Sequence, residues 1–339
     1  MRALVTARAC GPDALKVMDQ PEPRPAEGEV LVKVKAAGVN FADVLAAQGM
    51  YPPAPRLPAV MGFEVAGTVE ELGDGVSGLR VGDRVLGGTR FGGHAELAVV
   101  TAGALLPLPA DWSFAEGAAF PVSYATAYAG LCRFGGLRRA ERVLVHAAAG
   151  GVGIASTQIA RALGAEVFGT ASSRKQDALR DLGVHHPIDY EAGNFVESVR
   201  RAGESEAPID LAMDSISGSS FRRSWSLLAP GGRLVCLGAS SLVTGERRNI
   251  ARSLLTVLRL PWFGAFSLMT QSKSVIGVNV LCLWDAKGSL TELIAPLTDL
   301  IPSGRLRPVI AERFSLSQGA DAYRYLIGRR NVGKVVLDV

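Results

Sequence analysis

The middle of the chain alternates between short apolar runs and amphipathic segments. Val143–Val145 is an apolar run with β-branched residues, which is typical of a buried parallel strand. Apolar residues then recur at helical spacing from Val152 to Ala162, and Gly164 lies where a helix is expected to end. A turn of small residues, AAAGGVG, joins the two segments. The pattern therefore predicts a strand–turn–helix unit.

The same alternation continues for about a hundred residues. It predicts strands at Arg142–Ala147, Glu166–Thr170, Leu211–Asp214 and Arg233–Leu237, and helices at about 152–163, 174–182 and 218–228. Strands that alternate with helices form a parallel sheet with right-handed crossovers. We therefore expect an α/β unit in this part of the chain.

The first 110 residues have a different period. Valines at 30, 32 and 34 alternate with other residues, as in a half-buried strand, and glycines separate several short segments of this kind. Prolines cluster at 21–25 and 52–58, which we expect to be loops because proline cannot donate to a central ladder. This pattern predicts a β-rich barrel or sandwich, to which a final strand at 333–339 returns.

Two local signals mark helix boundaries between these regions. Ser113 and Glu116 have the spacing of a capping box and predict that a helix begins there. Pro121 is expected to end or kink that helix and to begin a second one, because proline lacks an amide hydrogen.

Composition limits the functional classes. The 339 residues are enough for two domains, and 48% hydrophobic with 20% charged residues indicates a globular chain. The net charge of +4 comes without a long basic run, which argues against nucleic-acid binding. The four cysteines are far apart and fit a reducing compartment, and no signal peptide or membrane-length apolar run is seen, so we expect a cytoplasmic protein.

The small-residue turn has the pattern of a dinucleotide-binding loop. Ala148, Gly150 and Gly153 occupy its three small positions, with alanine in place of the first glycine, and Gly151 and Val152 lie between them. Small residues let the backbone approach a diphosphate, and the helix N-terminus offers free N–H groups to it. The alternative is a structural turn in another kind of α/β protein.

The residues after the second predicted strand favour NADPH over NADH. No acid follows Thr170 to accept ribose hydroxyls; instead the chain reads Ala-Ser172-Ser-Arg174-Lys175, which offers hydroxyls and cations to a ribose phosphate. The alternative is that a serine only caps a helix and the cations are solvated. Tyr190 is a further candidate on the adenine side, or else a partly buried core residue.

Several motifs resemble the medium-chain dehydrogenase/reductase superfamily over the whole chain. GVNFAD at 38–43, GMYP at 49–52 and the loop at 147–153 are similar to the NADPH:quinone oxidoreductase, zeta-crystallin-like branch. HPIDY at 186–190, TGERRN at 244–249 and NVGKV at 331–335 resemble the synaptic vesicle membrane protein (vesicle amine transport) subgroup, whose members have also been assigned non-catalytic roles.

The resemblance implies an α/β fold with two domains and a homodimer. A Rossmann-type doubly wound parallel sheet would span 121–271, and a β-rich GroES-like barrel domain would comprise 1–120 and 272–339. It also implies that Arg329 contacts the cofactor phosphates, although a solvated arginine is the alternative. Gly238 and Ser240 follow the fourth strand of the sheet and are expected to line the nicotinamide side.

The zinc alcohol dehydrogenases of the superfamily provide a contrast. Their catalytic cysteine and histidine positions are occupied here by Asn40 and Phe63, and neither side chain replaces a thiolate or an imidazole as a zinc ligand. We therefore predict no metal site. Without a Lewis acid, the substrate must already be electrophilic, such as a quinone or an activated alkene.

Three polar residues are candidates for stabilising charge on such a substrate: Asn40, Tyr51 and Thr126. Asn40 and Tyr51 match pocket residues of the quinone reductases, whereas a second pocket tyrosine falls at Leu45. Alternatively, Tyr51 anchors a proline turn and Asn40 caps the backbone. The sequence thus predicts an NADPH-dependent quinone reductase; the alternatives are an NADPH-dependent reductase of α,β-unsaturated aldehydes or ketones, and a cofactor-binding regulatory protein.

The segment 250–270 is unusually apolar. Arg259 and Pro261 argue against a membrane-spanning helix. The simplest interpretation is a helix at a domain or subunit interface. The alternatives are a mobile cover over an apolar pocket and a surface for peripheral contact with lipid.

Overall fold

The computed structural model describes residues 1–339, except the side chains of Ile250 and Arg252, which lie outside the description. Its strands are β1 Arg2–Thr6, β2 Leu15–Asp19, β3 Glu29–Val39, β4 Ala59–Val60, β5 Glu64–Leu72, β6 Arg84–Gly88, β7 Leu97–Thr101, β8 Leu105–Pro107, β9 Arg142–Val145, β10 Glu166–Ala171, β11 His186–Asp189, β12 Ile209–Asp214, β13 Leu228–Cys236, β14 Ser274–Gly277, β15 Ile310–Ser315 and β16 Lys334–Asp338. Its α-helices are α1 Phe41–Ala47, α2 Phe114–Ala119, α3 Pro121–Tyr128, α4 Gly151–Ala162, α5 Gln176–Asp181, α6 Phe195–Gly203, α7 Ser219–Trp225, α8 Ile250–Leu258, α9 Ala265–Gln271, α10 Val280–Lys287, α11 Thr291–Ile294 and α12 Gly319–Ile327.

The predicted parallel sheet is confirmed. Six parallel strands follow the order β11-β10-β9-β12-β13-β14, so that β9 lies near the centre with β10 and β12 beside it. The apolar run Val143–Val145 is buried in β9, as its composition requires. The predicted end of the following helix is also correct, because Gly164 adopts a φ of +77° immediately after it.

The β-rich part forms a seven-stranded sheet around β3. This long strand pairs with β5, β7 and β16, all antiparallel to it, and β16 in turn pairs with β15. The expectation that the last strand returns to the first part of the chain is therefore confirmed. A smaller sheet of β2, β1 and β4 completes this region.

The helix boundary signals are confirmed, and one strand of the parallel sheet lies outside the predicted bounds of the Rossmann-type domain. Ser113 caps α2 and receives a hydrogen bond from the Glu116 amide across 3.2 Å, and Pro121 is the first residue of α3. Strand β14 lies beyond the predicted boundary at 271, yet it is hydrogen-bonded to β13 in the parallel sheet. The division into 121–271 and the two flanking segments stays a prediction.

The apolar segment 250–270 forms two short helices, α8 and α9, joined by a link that contains Pro261. Within the part of the chain that the structure describes, no helix is long and apolar enough to cross a membrane. Several large apolar side chains in the segment are nevertheless exposed to solvent, including Trp262 at 94% and Phe266 at 79%.

Candidate functional site

A cleft of about 1030 Å³ lies at the carboxyl edge of the parallel sheet. The residues that follow four neighbouring strands line it: His146 after β9, Ser172 after β10, Ser215 after β12 and Leu237 after β13. Residues of the β-rich part line its other wall. Ligands of doubly wound sheets bind at this edge.

The structure brings nearly all the sequence-predicted site residues to this one cleft. Those that line it are Asn40, Tyr51, Thr126, Gly150, Gly151, Val152, Gly153, Thr170, Ser172, Arg174, Lys175, Tyr190, Gly238, Ser240 and Arg329. The exception is Ala148, which is fully buried below the loop and does not line the cleft.

The glycines of the turn allow close approach of backbone to backbone. A Cβ atom on Gly153 would lie 2.3 Å from the Ala147 carbonyl oxygen, so only glycine permits α4 to pack this closely on the preceding loop. The loop is also fixed from the other side, because the Gly333 amide donates to the Ala149 carbonyl across 2.8 Å. Gly333 itself has a φ of +103° and a Val309 carbonyl beside it, which excludes a side chain there.

Three cationic side chains that line the cleft, Arg174, Lys175 and Arg329, lie close to one another. Lys175 donates from Nζ to the Asn331 carbonyl across 2.6 Å, and Arg174 donates from Nη2 to the Arg329 carbonyl across 2.8 Å. Burial, together with the charges of Arg174 and Arg329, lowers the pKa of Lys175 to about 8, although the carboxylate of Glu191 acts in the opposite direction. Cations that repel one another beside an open cleft form a binding site for an anion.

Three residues near these cations, Ser172, Tyr190 and Glu191, bear on the predicted site for the 2′-phosphate of NADPH. Ser172 precedes a 3-10 turn at Ser173–Lys175, but its side chain makes no capping hydrogen bond. An acid that the sequence reasoning did not consider, Glu191, accepts from the Ser173 amide across 3.0 Å and lines the cleft. Tyr190 is 43% exposed and lines the cleft.

A buried polar network supports the cleft floor. His146 contacts the Thr170 hydroxyl across 3.0 Å and the Ser224 hydroxyl across 2.8 Å, and Ser224 and Ser220 both donate to Asp214. Burial lowers the pKa of His146, so the ring is neutral at physiological pH. The histidine is thus a hydrogen-bonded structural residue that ties three neighbouring strands together.

Asn40 lines the cleft as part of a second polar cluster. Its side-chain nitrogen donates to Glu64 Oε1 across 2.9 Å, and its side-chain oxygen accepts from Lys334 Nζ across 2.5 Å. Lys334 also forms an ion pair with Glu64, and both residues are buried. The Glu64 carboxylate accepts a further hydrogen bond from the Val122 amide across 2.8 Å. The amide of Asn40 is therefore held in one orientation.

Tyr51 and Thr126 also line the cleft. The Tyr51 ring packs edge-on against Phe63 with centroids 6.2 Å apart, and burial raises the pKa of its phenol to about 12. Tyr51 therefore remains protonated and able to donate at neutral pH. The Thr126 hydroxyl donates to the Val122 carbonyl across 2.6 Å, so in this arrangement it can only accept from a ligand.

The cleft fits a pyridine dinucleotide. Its small-residue loop at the N-terminus of α4 suits a diphosphate, and the cations Arg174, Lys175 and Arg329 suit a further phosphate. Among the described residues, no group of three or more His, Cys, Asp or Glu side chains is placed to hold a metal ion. Phe63 packs between Tyr51 and Phe91 at the position where a zinc ligand was considered.

Three residues that line the cleft have no role in the sequence-based prediction: Ser123, Glu191 and Lys334. Glu64 belongs to the site as the partner of Asn40 and Lys334. Glu64 and Lys334 are 270 positions apart, and only the pairing of β16 with β3 brings Lys334 to Asn40. Ser123 occupies the first turn of α3, where nothing in the local pattern separates it from a solvent-facing serine.

Family comparisons agree with this architecture. Residues 26–110 match the family described as alcohol dehydrogenase GroES-like domain, and residues 182–337 match the one described as zinc-binding dehydrogenase. The chain is 38% identical over 343 residues to a synaptic vesicle membrane protein VAT-1 homolog of Danio rerio, which covers 99% of this chain and 69% of that protein. A Homo sapiens VAT-1 homolog is 36% identical, with 99% of this chain and 86% of that protein covered.

Solved structures with similar folds include enzymes. A quinone oxidoreductase of Pseudomonas syringae has 30% identity and a TM-score of 0.86, covering 100% of this chain and 99% of that one. A mycobacterial protein in complex with NADPH has the same identity and TM-score and covers both chains completely. The CurK enoyl reductase has 28% identity and a TM-score of 0.85, covering 99% of each chain. From its fold, its cleft and these relatives, the chain belongs to the medium-chain dehydrogenase/reductase superfamily of oxidoreductases.

Proposed function

We propose that this chain is a zinc-independent, NADPH-dependent oxidoreductase that reduces quinones. One observation carries the proposal: a single cleft is lined both by the cations Arg174, Lys175 and Arg329 and by the polar residues Asn40 and Tyr51. An anion site and a hydrogen-bonding site in one cleft suit a dinucleotide that is bound together with an acceptor molecule.

At the cofactor end, the chain binds and orients. The cation cluster favours NADPH over NADH, because the additional 2′-phosphate brings negative charge to three mutually repelling cations. The N-terminus of α4 and the Gly150–Gly153 turn would hold the diphosphate. When bound, the nicotinamide supplies a hydride to an electron-poor acceptor.

At the acceptor end, the chain offers hydrogen-bond donors. Tyr51, whose pKa is raised, keeps its proton and can donate to an acceptor oxygen, while Asn40 retains a second N–H beyond the one given to Glu64. Donors aimed at the oxygen on which negative charge develops stabilise the reduced product. This pairing is why we favour quinones, which have such an oxygen on the ring that accepts the electrons.

The proposed independence from zinc rests on the residues that occupy the metal-ligand positions. Asn40 is engaged on both sides by Glu64 and Lys334, and the ammonium of Lys334 places a positive charge where a cation would otherwise be bound. Phe63 offers no donor atom. An activated acceptor, which needs no Lewis acid, suits this cluster better than an alcohol does.

Stopped-flow and steady-state measurements of NADPH absorbance test the proposal. Ortho-quinones, para-quinones and medium-chain enals would be offered in parallel. We expect turnover of quinones. Turnover of enals alone would replace the proposal with a reductase of α,β-unsaturated carbonyls.

Tyr51→Phe should lower kcat about tenfold or more with an unchanged KM for NADPH. Tyr325→Phe, which packs on Phe314 outside the cleft, is the matched control. Metal analysis of the active enzyme tests zinc independence.

A second candidate is a cofactor-binding regulatory protein that contacts membranes. The exposed apolar side chains of segment 250–270 support it, and two relatives carry the name synaptic vesicle membrane protein. Vesicle binding without turnover of any acceptor would favour it.

We also infer a cytoplasmic homodimer, for which the edge strand β14 offers main-chain groups to a second copy.

A further inference from the structure

Ser123 has a buried hydroxyl without a hydrogen-bond partner. The residue lies in the first turn of α3 and is 1% exposed, and its Oγ contacts no donor or acceptor of the protein. Leaving such a group unpaired costs free energy, so a hydroxyl in this state calls for an explanation.

Ser123 differs in its location from the other residues that have a buried side-chain atom without a hydrogen-bond partner. Among the described residues, the further buried side-chain atoms without partners belong to Thr6, Gln48, Ser156 and Thr157. None of those four residues lines the cleft, whereas Ser123 does. Its unpaired hydroxyl is therefore the one that a molecule in the cleft could satisfy.

The neighbours of Ser123 identify which part of the cleft it faces. A Cβ atom on Gly151 would lie 2.9 Å from Ser123 Oγ and 3.3 Å from Lys334 Cδ. Gly151 is the first residue of α4, a helix of 12 residues whose positive end opens toward the cleft. The hydroxyl thus lies beside the backbone N–H groups that would receive a diphosphate.

We propose that the Ser123 hydroxyl donates a hydrogen bond to the diphosphate of the bound pyridine dinucleotide. This inference rests on the proposed function and adds a recognition residue to it. Diphosphate oxygens only accept hydrogen bonds, and a hydroxyl whose proton is uncommitted can turn to donate. The serine is left unpaired in the free protein and becomes paired on binding.

Calorimetric titration of the full chain with three ligands tests this role. NADPH, 2′-phospho-ADP-ribose and 2′-AMP all carry the 2′-phosphate, but only the first two contain the diphosphate. Ser123→Ala should raise the Kd of NADPH and of 2′-phospho-ADP-ribose by about tenfold and leave that of 2′-AMP unchanged. Ser156→Ala removes another buried, unpaired hydroxyl, from α4 itself, and should change none of the three.

The outcomes are distinct. Unchanged Kd values in Ser123→Ala would overturn the inference, as would a loss for NADPH alone, which would move the contact to the nicotinamide half. An equal loss for all three ligands would mean a general structural defect and would also overturn it. Because the hydroxyl has no partner to lose and costs free energy when unpaired, Ser123→Ala should melt at or above the Tm of the parent; Ser123→Cys, with its weaker donor, should bind with intermediate Kd. If the parent protein binds 2′-AMP and neither of the two ligands that contain the diphosphate, the proposed function itself fails.

Discussion

Lys334 donates a hydrogen bond from Nζ to the side-chain oxygen of Asn40 across 2.5 Å, although 294 residues separate the two. Strand β16 makes this contact possible, because it pairs with β3 so that Val335 lies opposite Val39. Asn40 is the next residue after β3, and Lys334 is the first residue of β16. The end of the chain thus supplies the cation that fixes an amide in the candidate site.

The first prediction concerns the stability of this cluster. Lys334→Met removes the cation that compensates Glu64, whose side chain is completely buried. An uncompensated buried carboxylate costs about 3–5 kcal/mol, so the free energy of unfolding should fall by about that amount in urea denaturation at neutral pH. Lys33→Met, on the exposed side of β3, is the matched control and should change stability by less than about 0.5 kcal/mol.

The double variant provides a check on the cause. If the loss comes from the stranded charge, combining Glu64→Gln with Lys334→Met should recover much of the stability that Lys334→Met loses. Equal stabilities of Lys334→Met and the parent protein would contradict the buried ion pair.

The second prediction concerns cofactor preference. Arg174→Ala or Lys175→Ala should raise the KM for NADPH by about tenfold or more and change the KM for NADH much less, because each cation contributes a charge-assisted hydrogen bond to the 2′-phosphate. Arg180→Ala removes a nearby exposed cation of α5 that pairs with Asp177 and does not line the cleft. It should leave both constants unchanged. Equal changes for both cofactors in the cleft variants would argue against a 2′-phosphate site.

The third prediction concerns pH. Burial and two neighbouring arginines lower the pKa of Lys175 to about 8 from its ordinary value of 10.5, so the free protein loses this proton above pH 8. A 2′-phosphate stabilises the charged form, and the Kd of NADPH should therefore rise as pH increases from 8 toward 10. Without a ligand, the free energy of unfolding changes in the opposite direction. The unfolded chain keeps this proton up to about pH 10.5, so the contribution of Lys175 to stability increases as the pH rises from 8 to 10.5.

Titrations at several pH values check this prediction. The Kd of NADPH should lose this dependence in Lys175→Met, and the Kd of NADH should lack it in the parent protein. In calorimetry near pH 8, NADPH binding should take up protons, which is seen as a heat that varies with the ionisation enthalpy of the buffer. A Kd for NADPH that is constant from pH 7 to 10 would exclude Lys175 from the phosphate site.

Much of this architecture follows from local sequence patterns. The run at Val143–Val145 and the helical spacing after it are strong signals because β9 is buried on both faces and α4 on one. Strands β11 and β14 are absent from the prediction. Each has only four residues, β11 contains Pro187, and β14 is exposed at an edge, so neither shows a clear apolar period.

The candidate site was predictable only in its local parts. The loop at 147–153 and the cations after β10 are continuous in sequence, and their chemistry can be recognised there. Ser123 and Lys334 join the site through tertiary contacts, which no single-sequence period encodes. The same holds for Glu191, which follows a strand that was not predicted.

The last prediction concerns the exposed apolar surface of α8, α9 and their link. Trp262 is 94% exposed and Phe266 79% exposed, and aromatic side chains of this kind insert at the boundary of a bilayer. The parent protein should co-sediment with vesicles made of equal parts phosphatidylcholine and phosphatidylserine, and the double variant Trp262→Ser with Phe266→Ser should lose most of that binding at unchanged Tm. Val81→Ser, which alters an exposed apolar residue elsewhere, is the control. The membrane proposal fails if the parent protein does not bind vesicles. If, in addition, the parent protein sediments as a dimer and the double variant as a monomer, a second copy of the chain covers this surface.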